Sequence, residues 1–384
     1  MSLTGRLLFG AQRTLVVLSH RWHRRRPPAR QVSWVVGTVE VAAMVTNFAR
    51  AVPGSYSVVT VRNRYYDVAY DREIPDGRGA WVTAAWEFGR LVAHARGFIY
   101  LGTEGFLRTD VDDRDWEFGF VKRHGRGLVC VFAGTDIRSP VLMRQFEKET
   151  GLETIVTYLD QLSPALASPA YDDLRKRVAA VADRHADAVF TATVDQLGYL
   201  QRPTEAFPYF FPDADILSDD TKHHAPGPRI VVHAPSAPII KGTQVVRAAV
   251  QRLRSEGYDF DYRELIGVPN SEVLATLREA HVVLNEFYAF VPGVFGVEAM
   301  ASGCALLTRA DEHIETDLPA GSNDAWMVTT AADIATNLRL LLDEPERIGS
   351  LAAAGRRWVL EHATISASGA RIAAVLSRIA PDGT

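Results

Sequence analysis

The sequence predicts an α/β protein of two domains, each a parallel sheet between helices. Three observations predict it. The chain has 384 residues, 47% of them hydrophobic, which is more than one ordinary core accommodates. Short apolar, β-branched runs alternate with stretches of helical period, the pattern of strand–helix–strand units. Prolines at 203, 208, 212, 226 and 228 interrupt that pattern near the middle, and with His223-His224 and several acids they mark 213–228 as a linker.

The first domain spans 31–212. Residues 32–36 read as a buried strand. Gly37 and Thr38 then turn the chain into a helix whose Val41, Val45, Phe48 and Val52 face the core, with Thr38 as N-cap. There is no full G-x-G-x-x-G, so the dinucleotide fingerprint is weak; Gly37 and Thr38 make a simple tight turn or, as the family resemblance given below implies, line the ligand site. Strands follow at 56–61, 97–101 and 128–133, with a helix at 81–96 whose Trp86 reads as core. The strand at 97–101 exits into Gly102-Thr103-Glu104-Gly105. The strand at 128–133 exits into Gly134-Thr135-Asp136-Ile137-Arg138. Open α/β sheets bind ligands at the carboxyl ends of strands, so Glu104, Asp136 and Arg138 are cleft candidates. For Asp136 and Arg138 the alternative is a helix cap and a local ion pair. Asp110, Asp112, Asp113 and Asp115 precede a helical stretch at 116–123, where acids suit the helix dipole better than they suit a metal. Residues 163–201 read as mostly helical around a short strand at 188–191.

Ahead of this domain, residues 1–30 hold seven arginines and no acid, while the rest of the chain carries 35 basic against 46 acidic residues, or −11. Leu7, Leu8, Ala11, Leu15, Leu18 and Trp22 recur at helical spacing over 5–22, and Arg24-Arg25-Arg26 and Pro27-Pro28 close the stretch. It reads as a basic amphipathic extension, separable from the first strand. Two readings stay open: an interfacial helix on an anionic membrane surface through residues 1–26, or a helix packed on the body.

The second domain spans 229–364. It opens with a strand at 229–233 that ends in His233, then Ser236, then Lys241-Gly242 leading a helix. A strand at 260–266 and a helix at 270–280 follow. The most informative stretch is 281–308. Its apolar start is a strand, residues 285–292 form a loop, Gly293 and Gly296 lie about a helix that begins at Val294, Gly303 ends that helix, and 304–308 is a second strand. Such a loop lets a ligand approach the backbone, and the helix start offers free N–H groups and a positive dipole end to a diphosphate. Glu298, in the first turns, is too close to phosphate to bind it but can accept hydrogen bonds from a ribose diol. The competing reading is an ordinary glycine turn with a capping glutamate. A strand at 326–329 and helices at 331–343, 345–361 and 365–379 complete the chain.

Two segments carry a resemblance. Phe295–Gly303, FGVEAMASG, resembles the G-x-x-x-E-A-M-A-x-G motif in the donor domain of glycosyltransferase family 4 (group 1), and residues 231–243, VVHAPSAPIIKGT, resemble that domain's first strand and Lys-Gly loop. The resemblance implies the GT-B fold: two Rossmann-like domains facing a cleft, with residues 365–384 crossing back to the first. It implies a transferase that takes a nucleotide-sugar donor, a UDP-sugar by default, retains configuration and needs no cofactor or metal. Lys241 would contact the donor diphosphate with Ser236, His233, Val294 and Phe295 beside it, and Glu298 would hold the ribose. Gly134–Arg138 resembles a G-[ST]-D-x-R element found in some relatives. Relatives commonly carry a second glutamate eight positions before the helix glutamate. That position is Phe290 here, and the nearest acid is Glu286, twelve before, which reaches the donor sugar on this reading. Glu286, with Asp136 and Glu104 on the first domain, are the carboxylates placed for catalysis.

The near-balanced charge of −4 argues against a nucleic-acid partner. Cys130 and Cys304 both fall in strand-like runs, as core residues of a reducing compartment. No apolar run reaches the length of a membrane span. These point to a cytoplasmic protein, peripheral at the inner membrane face where residues 1–26 meet lipid, with a glycan or lipid-linked acceptor. The alternative function is a non-catalytic nucleotide-sugar-binding or partner subunit on the same fold. A nicotinamide-dependent dehydrogenase is disfavoured because neither half carries a G-x-G-x-x-G.

Overall fold

The structure is a computed structural model that describes residues 3–28, 30–77, 79–218 and 220–380. Helix α1 (Leu3–His23) comes first. The first sheet and its helices then run β1 (Trp34–Val39), α2 (Met44–Ala51), β2 (Tyr56–Val61), β3 (Arg72–Glu73), α3 (Ala80–His94), β4 (Gly97–Leu101), α4 (Asp115–Arg123), β5 (Gly127–Val131), α5 (Pro140–Thr150), α6 (Leu159–Leu162), α7 (Pro169–His185), β6 (Ala188–Thr191) and β7 (Glu205–Ala206). The strands pair in parallel in the order β3-β2-β1-β4-β5-β6-β7, so the direction of winding reverses between β1 and β4. β4 and β5 are buried along their whole length, as a parallel sheet covered on both faces requires. Phe98, Tyr100 and Leu128 meet α3 and α4 through Phe88, Leu91 and Phe118, while Ile99 and Val129 meet the opposite layer through Val45 and Phe48.

The second sheet is built from β8 (Arg229–His233), α8 (Pro238–Lys241), α9 (Thr243–Ser255), β9 (Phe260–Glu264), α10 (Asn270–Glu279), β10 (Val282–Leu284), α11 (Gly293–Ala301), β11 (Ala305–Thr308), β12 (Met327–Val328), α12 (Ile334–Asp343) and α13 (Pro345–His362). Its order, β12-β11-β10-β8-β9, reverses between β8 and β10. The segment before it lies against this domain. Lys222 Nζ donates to Ser302 O (2.7 Å), placing a cation at the carboxyl end of α11, where the dipole favours one. The last helix, α14 (Ile365–Ile379), leaves the second domain and packs on α2: a Cβ on Gly369 would come within 3.0 Å of Ala51 O, and Ile372, Val375 and Leu376 join the core around Phe48.

Two expectations at the amino end need correction. Gly37 and Thr38 do not form the first turn. They lie inside β1, where a Cβ on Gly37 would collide with Val58 O, and Thr38 Oγ1 donates across to Glu104 O (3.1 Å). The turn comes later, at Ala42 and Ala43, both with positive φ (50° and 60°), and Glu40 rather than Thr38 accepts an N–H of the first helical turn, from Val45 (3.4 Å). Nor is α1 separable from the body. Val16, Ser19 and His20 meet α3, where Gly89 leaves no room for a Cβ against Ser19 (2.7 Å), while Phe9 and His20 pack edge-on against Trp116 and Phe120 of α4 and Gln12 accepts from Arg108 N (3.2 Å). Burying Phe9 and Val16 contributes about 1.5–3 kcal/mol each. The stripe read from the sequence is split: Leu7, Leu18 and Trp22 point outward, 67%, 51% and 54% exposed, while Leu15 packs against the core and Leu8 is half-buried. Trp86, read as core, is 38% exposed and stacks edge-on against His23 of α1.

Candidate functional site

Both sheets point the carboxyl ends of their central strands at a cavity of about 300 Å³ between the domains. The second domain contributes Ser236 after β8, Lys241 at the end of α8, Asn270 at the start of α10, Asn285 after β10, and Val294, Phe295 and Glu298 of α11. The first domain contributes Val41 and Ala42 after β1 and Asn63, Tyr65 and Tyr66 after β2. The cavity therefore sits at the switch point of the second sheet, between β8 and β10, and over the ends of β1 and β2 in the first, where open α/β folds bind their ligands.

Glu298 is buried among partners from both domains. Asn270 Nδ2 donates to its Oε1 (2.9 Å), and the Tyr66 hydroxyl donates to the same oxygen at 3.5 Å. Burial pushes the Glu298 carboxyl up to about 7, against these two hydrogen bonds, which favour the ionised form. The loop holding Tyr66 is tied across the cleft at the backbone too: Asn270 N donates to Tyr65 O (3.0 Å).

Lys241 forms an ion pair with Glu286, which is almost fully buried. Burial raises the Glu286 carboxyl above its ordinary value and the Lys241 charge opposes the rise. Gly293 opens α11 at a φ of +65°, and a Cβ there would come within 2.9 Å of Glu286 Oε1, so glycine is required on two counts. Gly296 is held close by Asn285, whose Nδ2 donates to Pro292 O (2.7 Å) and fixes the loop ahead of the helix. The residue before α11, Pro292, supplies no side-chain cap, and Val294 and Phe295 face the cavity at a positive dipole end.

The remaining candidates lie elsewhere. His233 is fully buried: its Nδ1 donates to Leu284 O (2.7 Å), its Nε2 accepts from Thr243 Oγ1 (2.9 Å), and burial lowers its pKa to about 4, so it is a neutral tie between β8, β10 and α9. Arg138 is spent on a buried pair with Asp195 (2.6 Å). Asp136 turns back on its own 3₁₀ turn and accepts from Ala133 N (2.9 Å). Glu104 is exposed and borders a separate groove on the first domain with Thr109, Asp113 and Arg177. Of the acidic run, Asp112 accepts from Trp116 N (3.0 Å) at the start of α4, and Asp113 and Asp115 pair with Arg177 and Arg184. Among the described residues no group of three or more His, Cys, Asp or Glu side chains gathers as a metal-holding set. Sequence reasoning missed Tyr66, Asn270 and Glu315. Glu315 accepts N–H bonds from Thr193, Val194 and Asp195 of the first domain (2.7–3.2 Å), and burial raises it to about 7.

Comparison with known proteins places this geometry. Residues 228–374 match the model of a family described as glycosyl transferase-like. No curated protein matches the chain. Among solved structures, sucrose-phosphate synthase from Thermosynechococcus elongatus superposes with a TM-score of 0.54 at 12% identity, covering 91% of this chain and 99% of that one. WaaG, a glycosyltransferase involved in lipopolysaccharide biosynthesis, superposes with a TM-score of 0.53 at 13% identity, covering 92% and 100%. At these identities the likeness is one of fold: two Rossmann-like domains in the GT-B arrangement.

Proposed function

We propose that this chain, whose second domain is glycosyl transferase-like and whose two domains have the GT-B fold, transfers a sugar from a nucleotide-sugar donor to an acceptor held by the first domain. The observation that carries the reading is the convergence on one interdomain cavity of a cation, Lys241, an uncapped helix start at Val294 and a ribose-competent carboxylate, Glu298. The donor lies against the second domain. Its ribose hydroxyls donate to Glu298, and its diphosphate meets Lys241, Ser236 and the start of α11. When the bond from the sugar to the diphosphate breaks, Lys241 and the helix dipole stabilise the charge gathering on the leaving group, the task a divalent metal performs in other transferases. As in the family 4 enzymes whose motifs the second domain resembles, the diphosphate takes the acceptor proton on the same face and configuration is retained. Glu286 is buried beneath Gly293 behind the cavity wall, so it acts through its ion pair with Lys241 and does not touch the sugar. UDP is the default nucleotide. The acceptor is a glycan or is carried on lipid, presented where the arginines and exposed apolar stripe of α1 meet the anionic inner face of a membrane.

A non-catalytic nucleotide-sugar binder is the second reading, favoured by Phe290 at the position where relatives carry a glutamate: its side chain is fully buried and its N–H donates to Asp195 (3.0 Å). A thermal-shift screen of UDP-, GDP- and ADP-sugars, followed by turnover of those that bind, separates the readings. Stabilisation by one donor with release of its nucleoside diphosphate is expected; stabilisation without turnover favours the binder, and no stabilisation removes both.

A further inference from the structure

The cluster around Glu298 joins the two domains at a single carboxylate oxygen. Asn270 Nδ2 and the Tyr66 hydroxyl both lie against Oε1 (2.9 and 3.5 Å), and Asn270 Nδ2 is 3.4 Å from that hydroxyl as well. Tyr66 belongs to the loop after β2 of the first domain, and Asn270 opens α10 of the second, whose backbone N–H is tied to Tyr65 O. We propose that Asn270 and Tyr66 are positioning residues for nucleotide recognition: together they occupy Glu298 Oε1, aim Oε2 at the ribose, and make ribose binding depend on the first-domain loop being docked. This rests on the reading of Glu298 as the ribose acceptor and extends it, because it puts a first-domain side chain in control of a second-domain site.

The chemistry supports the division of labour. A ribose diol offers two donors, and an ionised carboxylate free to rotate would spread its acceptors among several orientations. Two donors on one oxygen fix the plane of the carboxylate and leave the other oxygen for the ligand. They also favour the ionised form, against the burial that raises its pKa. The charged groups facing the cluster are Glu40, which acts on Tyr66 from the end of β1, and Lys241 across the cavity.

The test measures the affinity of UDP-, GDP- and ADP-sugars, whose diphosphates carry no group that titrates near neutral pH, for the full-length protein as a function of pH, for the wild type and for Tyr66→Phe, Asn270→Ala and Glu298→Gln. The ionised carboxylate is the ribose acceptor, so affinity of the tightest nucleotide-sugar should fall as pH drops through about 7. Losing a donor to the ionised form raises the Glu298 pKa. Tyr66→Phe and Asn270→Ala should therefore move that fall to higher pH, with affinity at pH 7 about tenfold weaker in Asn270→Ala and less so in Tyr66→Phe. Glu298→Gln should remove the step. Tyr66→Phe keeps the ring and its packing, so a wild-type midpoint and affinity in that variant overturns the role of the hydroxyl even if Asn270→Ala is destabilised. A pH step that persists in Glu298→Gln, or no binding by any of the three nucleotide-sugars, overturns the donor-site reading itself.

Discussion

Lys241 has an anionic neighbour before any ligand arrives. Its pair with Glu286 keeps a buried carboxylate neutralised, so replacing the lysine removes a ligand contact and also strands Glu286. Lys241→Ala should cost about 1.5–3 kcal/mol of nucleotide affinity through the lost charge-assisted contact, and should also lower the melting temperature. The double variant Lys241→Ala/Glu286→Gln should regain melting temperature while affinity stays low, because only the stability loss comes from the stranded carboxylate. Calorimetric titration beside a melting curve reads both, and nucleotide affinity unchanged in Lys241→Ala would remove it from the site. That Lys241 and Glu298 lie on the cavity was legible in the sequence, because each sits at a fixed offset from a glycine turn and a helix start. Tyr66 was not, since its contact with Glu298 spans 232 residues and no local pattern encodes it. His233 was misjudged for a related reason: a histidine ending a strand looks like a ligand until Thr243 and Leu284 are seen to satisfy both ring nitrogens.

At the scale of elements, α1 shows what periodicity reveals and hides. The stripe of Leu7, Leu8, Ala11, Leu15, Leu18 and Trp22 was legible because it is apolar, although Leu15 packs inward. The inner face was not, because Gln12, Ser19 and His20 interrupt Phe9 and Val16 and dilute the helical period. Membrane attachment is therefore tested on the outer face, since deleting the helix would bare α3. Leu18→Glu/Trp22→Glu alters residues that point to solvent and should leave the melting temperature within the range of ordinary surface changes. It should sharply reduce co-sedimentation with anionic vesicles, and wild-type binding should weaken with salt, each basic residue near such a surface contributing about 1 kcal/mol. Equal sedimentation of the two proteins would contradict lipid docking by this helix. Strands at 56–61, 97–101, 188–191 and 229–233 were read with the boundaries the structure shows, because apolar runs bounded by turn residues encode buried parallel strands. The two-residue edge strands β3 and β7 escaped because Arg72, Glu73, Glu205 and Ala206 carry no apolar run. Helix α5 was passed over as well, although Ser139 caps it and Pro140 opens it.

For the whole molecule, the domains meet through carboxylates that each bury against the other half. Glu315 collects N–H groups of 193–195, Glu298 takes Tyr66, and α14 returns to cover α2. The two-sheet architecture was visible in the alternation of strands and helices, whereas these cross-domain contacts depend on how the halves are oriented, which no local pattern specifies. On the proposed function, one cavity between the domains holds the nucleotide part of a sugar donor through Lys241, the start of α11 and Glu298, without a divalent cation. The most direct measurement is a crystal structure of the full-length protein grown with the nucleoside diphosphate that stabilises it most, with magnesium present. The diphosphate is expected beside Lys241 and the N–H groups of Val294 and Phe295, with the ribose hydroxyls on Glu298 and no metal bridging the phosphates. A nucleotide bound away from Lys241 and Glu298, or a diphosphate held through magnesium by acidic side chains, would contradict the proposed function.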